Sequence, residues 1–100
     1  MADKIAVENV NVPGQITNVD AAKYRAMYGA MMATMSDTPL TATEIKEAAK
    51  PHLPDDLFPG GATSGWWAKT VQLDLEAKGK LTRHATKPLR WSKRDTHFGV

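Results

Sequence analysis

The stretch Thr63–Gly79, TSGWWAKTVQLDLEAKG, decides the fold. It reads as the most heavily buried helix of a small domain. A hydroxyl of Thr63 or Ser64 is placed to cap its start, because a side-chain oxygen there accepts from a free backbone N–H. Gly79 stands just past the last periodic residue, where a left-handed C-cap favours glycine. On a helical wheel Trp66, Thr70, Leu73 and Ala77 share one face, and Trp67, Val71 and Leu75 share the next. Together they span roughly 200° of arc, about twice the usual core-facing stripe. Such a helix must be covered on two sides. Ala68, Lys69, Gln72 and Glu76 are expected at the surface. Asp74 falls inside the apolar arc. A buried carboxylate needs a partner, with Arg83, Arg90 or an indole N–H as candidates; the alternative is an Asp half exposed at a seam.

On either side of this helix the chain changes character. Upstream lies the break FPGG, residues 58–61. Downstream, KLTRHATKPLRWSK (80–93) reads as two strands around a tight turn near Ala85–Lys87. Leu81, Leu89 and Trp91 alternate with Thr82, Arg83, Arg90 and Ser92, which gives the hairpin one apolar and one polar face.

Further upstream, Asp20 is the expected N-cap of a first helix running to about residue 36. Tyr24, Met27, Tyr28, Met31, Met32 and Met35 keep the three-and-four spacing of a core-facing stripe. A methionine stripe also suits a plastic partner surface, but this spacing is read as core. Ala22, Ala26, Gly29, Ala30 and Ala33 leave another face smooth. Either alanine serves there for its helix propensity, or a second backbone approaches closely. Leu40 is the expected short strand that pairs with the hairpin. Thr41-x-x-Glu44 is a capping box opening a second helix, with Ile45, Ala48 and Ala49 inward. Pro51 ends it near Lys50. In the joining segment 51–62, Leu53, Leu57 and Phe58 are expected to pin the loop to the core. His52, Asp55 and Asp56 lie in this segment at a spacing that matches no metal site, so neither a metal nor a cofactor is expected.

Residues 4–12, KIAVENVNV, alternate with a phase slip between Val7 and Val10. They are read as a bulged strand or an extended arm over 1–19, with a turn at Pro13-Gly14. Residues 94–100 are expected to be a tail.

The 100 residues make one domain, and 42% hydrophobic residues suffice for a single modest core. There is no cysteine, hence neither a disulfide framework nor a thiolate metal site. No apolar run is long enough to span a membrane, and the start lacks the apolar stretch of a signal peptide. A cytoplasmic location is the expectation. Residues 1–77 hold six Lys/Arg against ten Asp/Glu, whereas residues 78–94 hold seven Lys/Arg and no acid. Segregation of this kind marks a surface for an anionic partner, unless the hairpin is simply a solvated basic one.

Helix, helix, break, helix, hairpin is the order of a winged helix-turn-helix, an α+β fold. The combination ENVNVPG (8–14), HLPDDLFPGGATSGWWAKTVQLDLEAKG (52–79) and PLRW (88–91) resembles a family of small bacterial proteins of unknown function with a winged-helix fold. The resemblance covers about residues 5–93 and is carried mainly by GWWAKTVQLDLEAKG. It implies that fold and lends no activity. Winged helices often place the third helix in the DNA major groove and the wing on the backbone. Fold-level analogy therefore points to duplex DNA as a partner.

The residues expected to contact it are Lys69 and Gln72 on the third helix, suited to guanine and adenine, and Lys80, Arg83, Lys87 and Arg90 on the hairpin, placed against phosphates. Against this stand Glu76 on the same helix face and Asp55 and Asp56 upstream. The alternative is a protein-interaction module, which an exposed Trp66 or Trp67 favours. An enzyme is not expected: no nucleophile–base pair, phosphate loop or catalytic carboxylate pair is visible, and no small-molecule substrate is evident. A homodimer is expected through the small-residue face of the first helix and the N-terminal arm. As a test of the central helix, Trp67→Ala is expected to destabilise the fold by about 3–5 kcal/mol, read as a lowered midpoint in denaturant.

Overall fold

The computed structural model describes residues 3–93, and the expected tail lies outside the described residues. Three α-helices and two small antiparallel sheets make an α+β architecture. Strands β1 (Lys4–Glu8) and β2 (Ile16–Asp20) pair as a hairpin, with Lys4 opposite Asp20 and Glu8 opposite Ile16. This corrects the expectation of a single arm. The phase slip at Val10 is the end of a strand. The loop that follows is tied by the Val12 N–H on the Asn9 carbonyl (3.0 Å) and the Gln15 N–H on the Val12 carbonyl (3.1 Å). Gly14 turns it at φ +90°, a conformation open to glycine. The sequence ITNVD buries only Val19, too little alternation to announce a strand. Val7 and Val19 both join the main core.

Helix α1 (Ala21–Thr34) follows β2 directly, and the Asp20 carboxylate caps it by accepting from the Lys23 N–H at 3.1 Å. Tyr24, Met27, Met31 and Met35 are buried, so the methionine stripe is core. Tyr28, expected to be buried, and Met32 are half-buried. On the small-residue face Ala30 is buried while Ala22, Gly29 and Ala33 are exposed.

Strand β3 (Leu40–Thr41) leads into α2 (Ala42–Ala49). Both capping-box bonds form: the Glu44 N–H donates to Thr41 Oγ1 (3.2 Å) and the Thr41 N–H to Glu44 Oε1 (2.8 Å). The Thr41 backbone N–H first, and the Thr41 side chain second, hold the Glu44 carboxyl below the usual carboxylate range. Pro51 stops the helix as expected, in a 3-10 turn over Lys50–His52. Phe58 is buried, and Leu53 and Leu57 half-buried, so the joining segment is pinned. Asp55 accepts the Gly60 N–H at 3.0 Å, which occupies it within that loop.

Helix α3 (Ser64–Ala77) is the central helix. Its start departs from expectation. Thr63 is left-handed (φ +61°), its hydroxyl donates to the Ala62 carbonyl at 2.6 Å, and no side chain caps the helix. Its end is as expected. Gly79 (φ +75°) donates to the Glu76 carbonyl (3.1 Å) and Lys80 to the Leu75 carbonyl (2.8 Å), the paired bonds of a glycine cap.

The helix is also rotated from the expected orientation. Trp67, Val71 and Leu75 are buried, but so are Ala68 and Gln72, which were expected outside. Trp66 is 55% exposed, Ala77 is exposed, and Thr70 and Leu73 are half-buried. The strip Trp66–Leu73–Ala77 thus faces outward. The cause is polar satisfaction: buried Gln72 and exposed Arg83 both donate to half-buried Glu76, so Gln72 is buried at little cost.

Strands β4 (Leu81–His84) and β5 (Arg90–Lys93) complete the second sheet in the order β3-β5-β4, with Leu40 and Arg83 both opposite Trp91. The expected pairing of Leu40 with the hairpin is therefore present. Leu89 lies before β5 rather than on its apolar face and is 41% exposed. Phe58 meets Trp67 edge-on at 6.4 Å. Met27, Met31, Ile45, Val71 and Leu75 are fully buried, each contributing roughly 1.5–3 kcal/mol.

Asp74 is fully buried beneath these layers. Its partners are none of those expected. Its carboxylate accepts from the Tyr24 hydroxyl in α1, from the Glu8 N–H in β1 at 2.9 Å, and from Lys78 Nζ one turn on at 2.8 Å. Burial first, then the Asp74 bond and charge, push the Tyr24 phenol well above its ordinary range. The folded chain therefore holds this proton more tightly than the unfolded one, and the associated stability is present below the unfolded pKa. Above about pH 10 the unfolded chain releases a proton that the folded chain keeps, so stability falls. Denaturation midpoints measured from pH 8 to 11 are expected to show this decline, and Tyr24→Phe to flatten it while lowering stability at pH 8.

Candidate functional site

A groove of about 470 Å³ runs between α2, α3 and the β4–β5 hairpin, with Asn11 from the β1–β2 loop at its edge. Its size falls within the range of ligand sites, about 300–1,000 Å³. The apolar lining comes from Ile45, Ala68, Leu73, Leu89 and Trp91, and the charged lining from Lys46, Lys69 and Arg83. No Asp or Glu is among the lining residues.

Of the residues expected to contact DNA, Lys69, Gln72 and Arg83 meet in this groove, and Lys80, Lys87 and Arg90 do not line it. Gln72 is buried, and its amide donates to Glu76 Oε2 at 3.0 Å. Arg83 donates to both oxygens of Glu76, at 2.8 and 3.2 Å. Its guanidinium also lies 5.7 Å from the Trp91 ring, within cation–π range. Lys80 Nζ lies 5.9 Å from the Tyr28 ring on another side of the molecule.

Much of the basic segment is therefore engaged internally. Lys78 serves Asp74, Arg83 serves Glu76, and Lys93 Nζ donates to the Met32 carbonyl at 3.1 Å. Among the described residues Lys69, Lys87 and Arg90 make no ion pair.

Nothing in the sequence marks Asn11, which reaches the groove from a remote loop. Lys46 stands on the second helix outside its inward set of Ile45, Ala48 and Ala49, with nothing in the sequence to mark a site, and Leu89 reads as a sheet residue. Trp91 was legible as core but not as groove lining. Its indole N–H is buried and finds no partner among the described residues. Around the groove and the β1–β2 loop the larger exposed apolar side chains are Val10, Val12, Ile16, Trp66 and Leu89. Trp66 stands edge-on to Trp67 at 4.9 Å and also borders a smaller hollow shared with β1 and β2. Among the described residues no group of three His, Asp or Glu converges to hold a metal ion, and no helix is long and apolar enough to cross a membrane.

Fold and site define a small α+β domain with a basic-rimmed, apolar-floored groove beside its central helix. The chain belongs to DUF6958, a family of unknown function whose model matches residues 4–91. No curated protein and no solved structure matches the chain significantly.

The Gln72–Glu76–Arg83 network makes a direct prediction. Glu76→Gln removes the charge that holds Arg83 and is expected to destabilise the fold by about 1–2 kcal/mol in urea denaturation. Arg83→Gln is expected to cost a similar amount, and the double variant less than the sum.

Proposed function

We propose that this chain is a winged helix whose α3 face binds another protein. The fold part is supported by the element order α1, β3, α2, α3, β4, β5 and by the sheet order β3-β5-β4, with the β1–β2 hairpin as an addition. The observation that carries the binding part is the outward strip of α3. It presents Trp66 at 55% exposure and half-buried Leu73, with Leu89 at 41% on the hairpin. Base-reading helices present polar donors and acceptors at such positions, whereas exposed aromatic and aliphatic side chains are the anchors of protein interfaces. The chain acts in this reading as a binding module rather than an enzyme.

A photo-crosslinking residue in place of Trp66 or Leu89 is expected to give a discrete adduct in cells, and one in place of Glu47 on α2 to give none. The same product pattern from all three positions would overturn the reading.

Lys69, Lys87 and Arg90, which make no ion pair among the described residues, favour a second reading: weak backbone binding to duplex DNA without base preference. If about three phosphates are neutralised, log K falls with log salt at a slope of roughly −3. Lys87→Glu with Arg90→Glu is expected to weaken binding equally on every sequence, and Gln72→Ala to leave sequence preference unchanged. Absence of salt-sensitive binding at about 50 mM salt removes this second reading.

A homodimer is a separate proposal, supported by the exposed Ala22, Gly29 and Ala33, where a Cβ on Gly29 would meet nothing within 4 Å. Light scattering at micromolar concentration is expected to return twice the chain mass, and a monomer mass removes it.

A further inference from the structure

We propose that the groove between α2, α3 and the β4–β5 hairpin is a ligand site for a small organic carboxylate with a flat apolar body. This goes beyond the protein-binding reading. That reading rests on Trp66, Leu73 and Leu89 as outward side chains; this one shares Leu73 and Leu89 with it but rests on the cavity and its lysines, and its test uses the chain alone.

Size comes first. A volume of about 470 Å³ suits a compound of one or two rings. The floor is apolar, and Leu73 and Leu89 carry most of its accessible surface, backed by the buried Ile45, Ala68 and Trp91. An inorganic anion would leave that floor against water.

Charge is the second argument. Lys46, Lys69 and Arg83 line the groove and no carboxylate does. Arg83 is already held by Glu76. Lys69 has no ion pair among the described residues, and Lys46 has only a 3.7 Å approach to the exposed Glu47. The Lys46 stem passes over the first turn of α3, where a Cβ on Gly65 would lie 3.6 Å from its Cδ. That turn has no side-chain cap, so its positive end borders the same groove as the two lysines. A neutral apolar ligand would leave these charges without a counterion, and one carboxylate supplies it.

The third argument is the Trp91 indole N–H, a buried donor without a partner among the described residues, in a residue that lines the groove. Buried donors are seldom left orphaned in a protein. With the groove open this nitrogen has essentially no accessible surface, so a ligand oxygen gains it through a tilt of the ring, which the indole signal reads directly.

The experiment titrates the full chain with 2-naphthoate and, separately, with its neutral isostere naphthalene-2-carboxamide and with inorganic phosphate. Amide and indole proton–nitrogen correlation spectra are the readout. Naphthoate is expected to shift the Gly65 and Lys69 amides and the Trp91 indole signal with a Kd on the order of 0.1–1 mM, as ligands of this size bind. The carboxamide is expected to bind several-fold more weakly. Lys69→Gln, a change at an exposed position, is expected to weaken naphthoate and leave the carboxamide unchanged. Equal affinity for the two naphthalenes overturns the charge argument and with it the proposal. So does the same shift pattern from phosphate, or the absence of shifts at these resonances up to about ten times that Kd. Each result is read without a partner protein or DNA, so failure of the protein-binding reading leaves the titration informative.

Discussion

The Asp74 carboxylate is the constraint on which the rest of the structure depends. A charge in an apolar interior costs several kcal/mol unless every lone pair finds a donor. Here the donors come from separate parts of the chain: a strand N–H at Glu8, a hydroxyl at Tyr24 in α1, and the ammonium of Lys78 at the end of α3 itself. All three must arrive together. A shift of β1 by one residue would take the Glu8 N–H away, and a quarter turn of α3 would move the carboxylate from Tyr24. The N-terminal hairpin is for this reason part of the core and not an appendage, and Val7 and Val19 belong to the buried cluster.

A second polar group works along the same helix. Gln72, Glu76 and Arg83 form a chain of bonds that ends against the Trp91 ring. Because these groups satisfy one another, the face of α3 that carries them packs toward α2 and the hairpin. The neighbouring strip, with exposed Trp66 and half-buried Leu73, is turned out. Arg83 is engaged there, Lys78 by Asp74 and Lys93 by the Met32 carbonyl, so half of the described cations that made the C-terminal segment look like a phosphate-binding wing are held internally. Net basicity in sequence is thus a poor guide to free basicity on a surface: three of the cations after Gly79 or just before it have partners inside the molecule.

The groove follows from these two networks. The Lys46 stem lies across the start of α3 near Gly65, and Arg83 is held back over Trp91 by Glu76. What remains between the helices and the hairpin is an apolar floor with lysines at its edge. Such a space is shaped by side chains that serve stability first, and its chemistry is a consequence of where they come to rest.

Local signals in the sequence determined a good deal. The Thr41–Glu44 box, the Pro51 stop, the Gly79 cap and the methionine stripe act over a single turn or one helix face, where neighbours in sequence are neighbours in space, and each is present as read. The pairing of Leu40 with the hairpin was legible from the order of elements. Only the tertiary structure decided which face of α3 turns inward, since hydrophobicity alone favours Trp66 over Gln72 and cannot register that Gln72 and Glu76 satisfy each other. It also decided the partners of Asp74, one of them 66 residues away at Glu8 and another 50 away at Tyr24. The second strand of the N-terminal hairpin was hidden because a two-stranded sheet covered on one side buries a single residue of ITNVD. The groove was beyond the sequence for the same physical reason: its lining converges from a loop, two helices and a hairpin, and no spacing along the chain records that meeting.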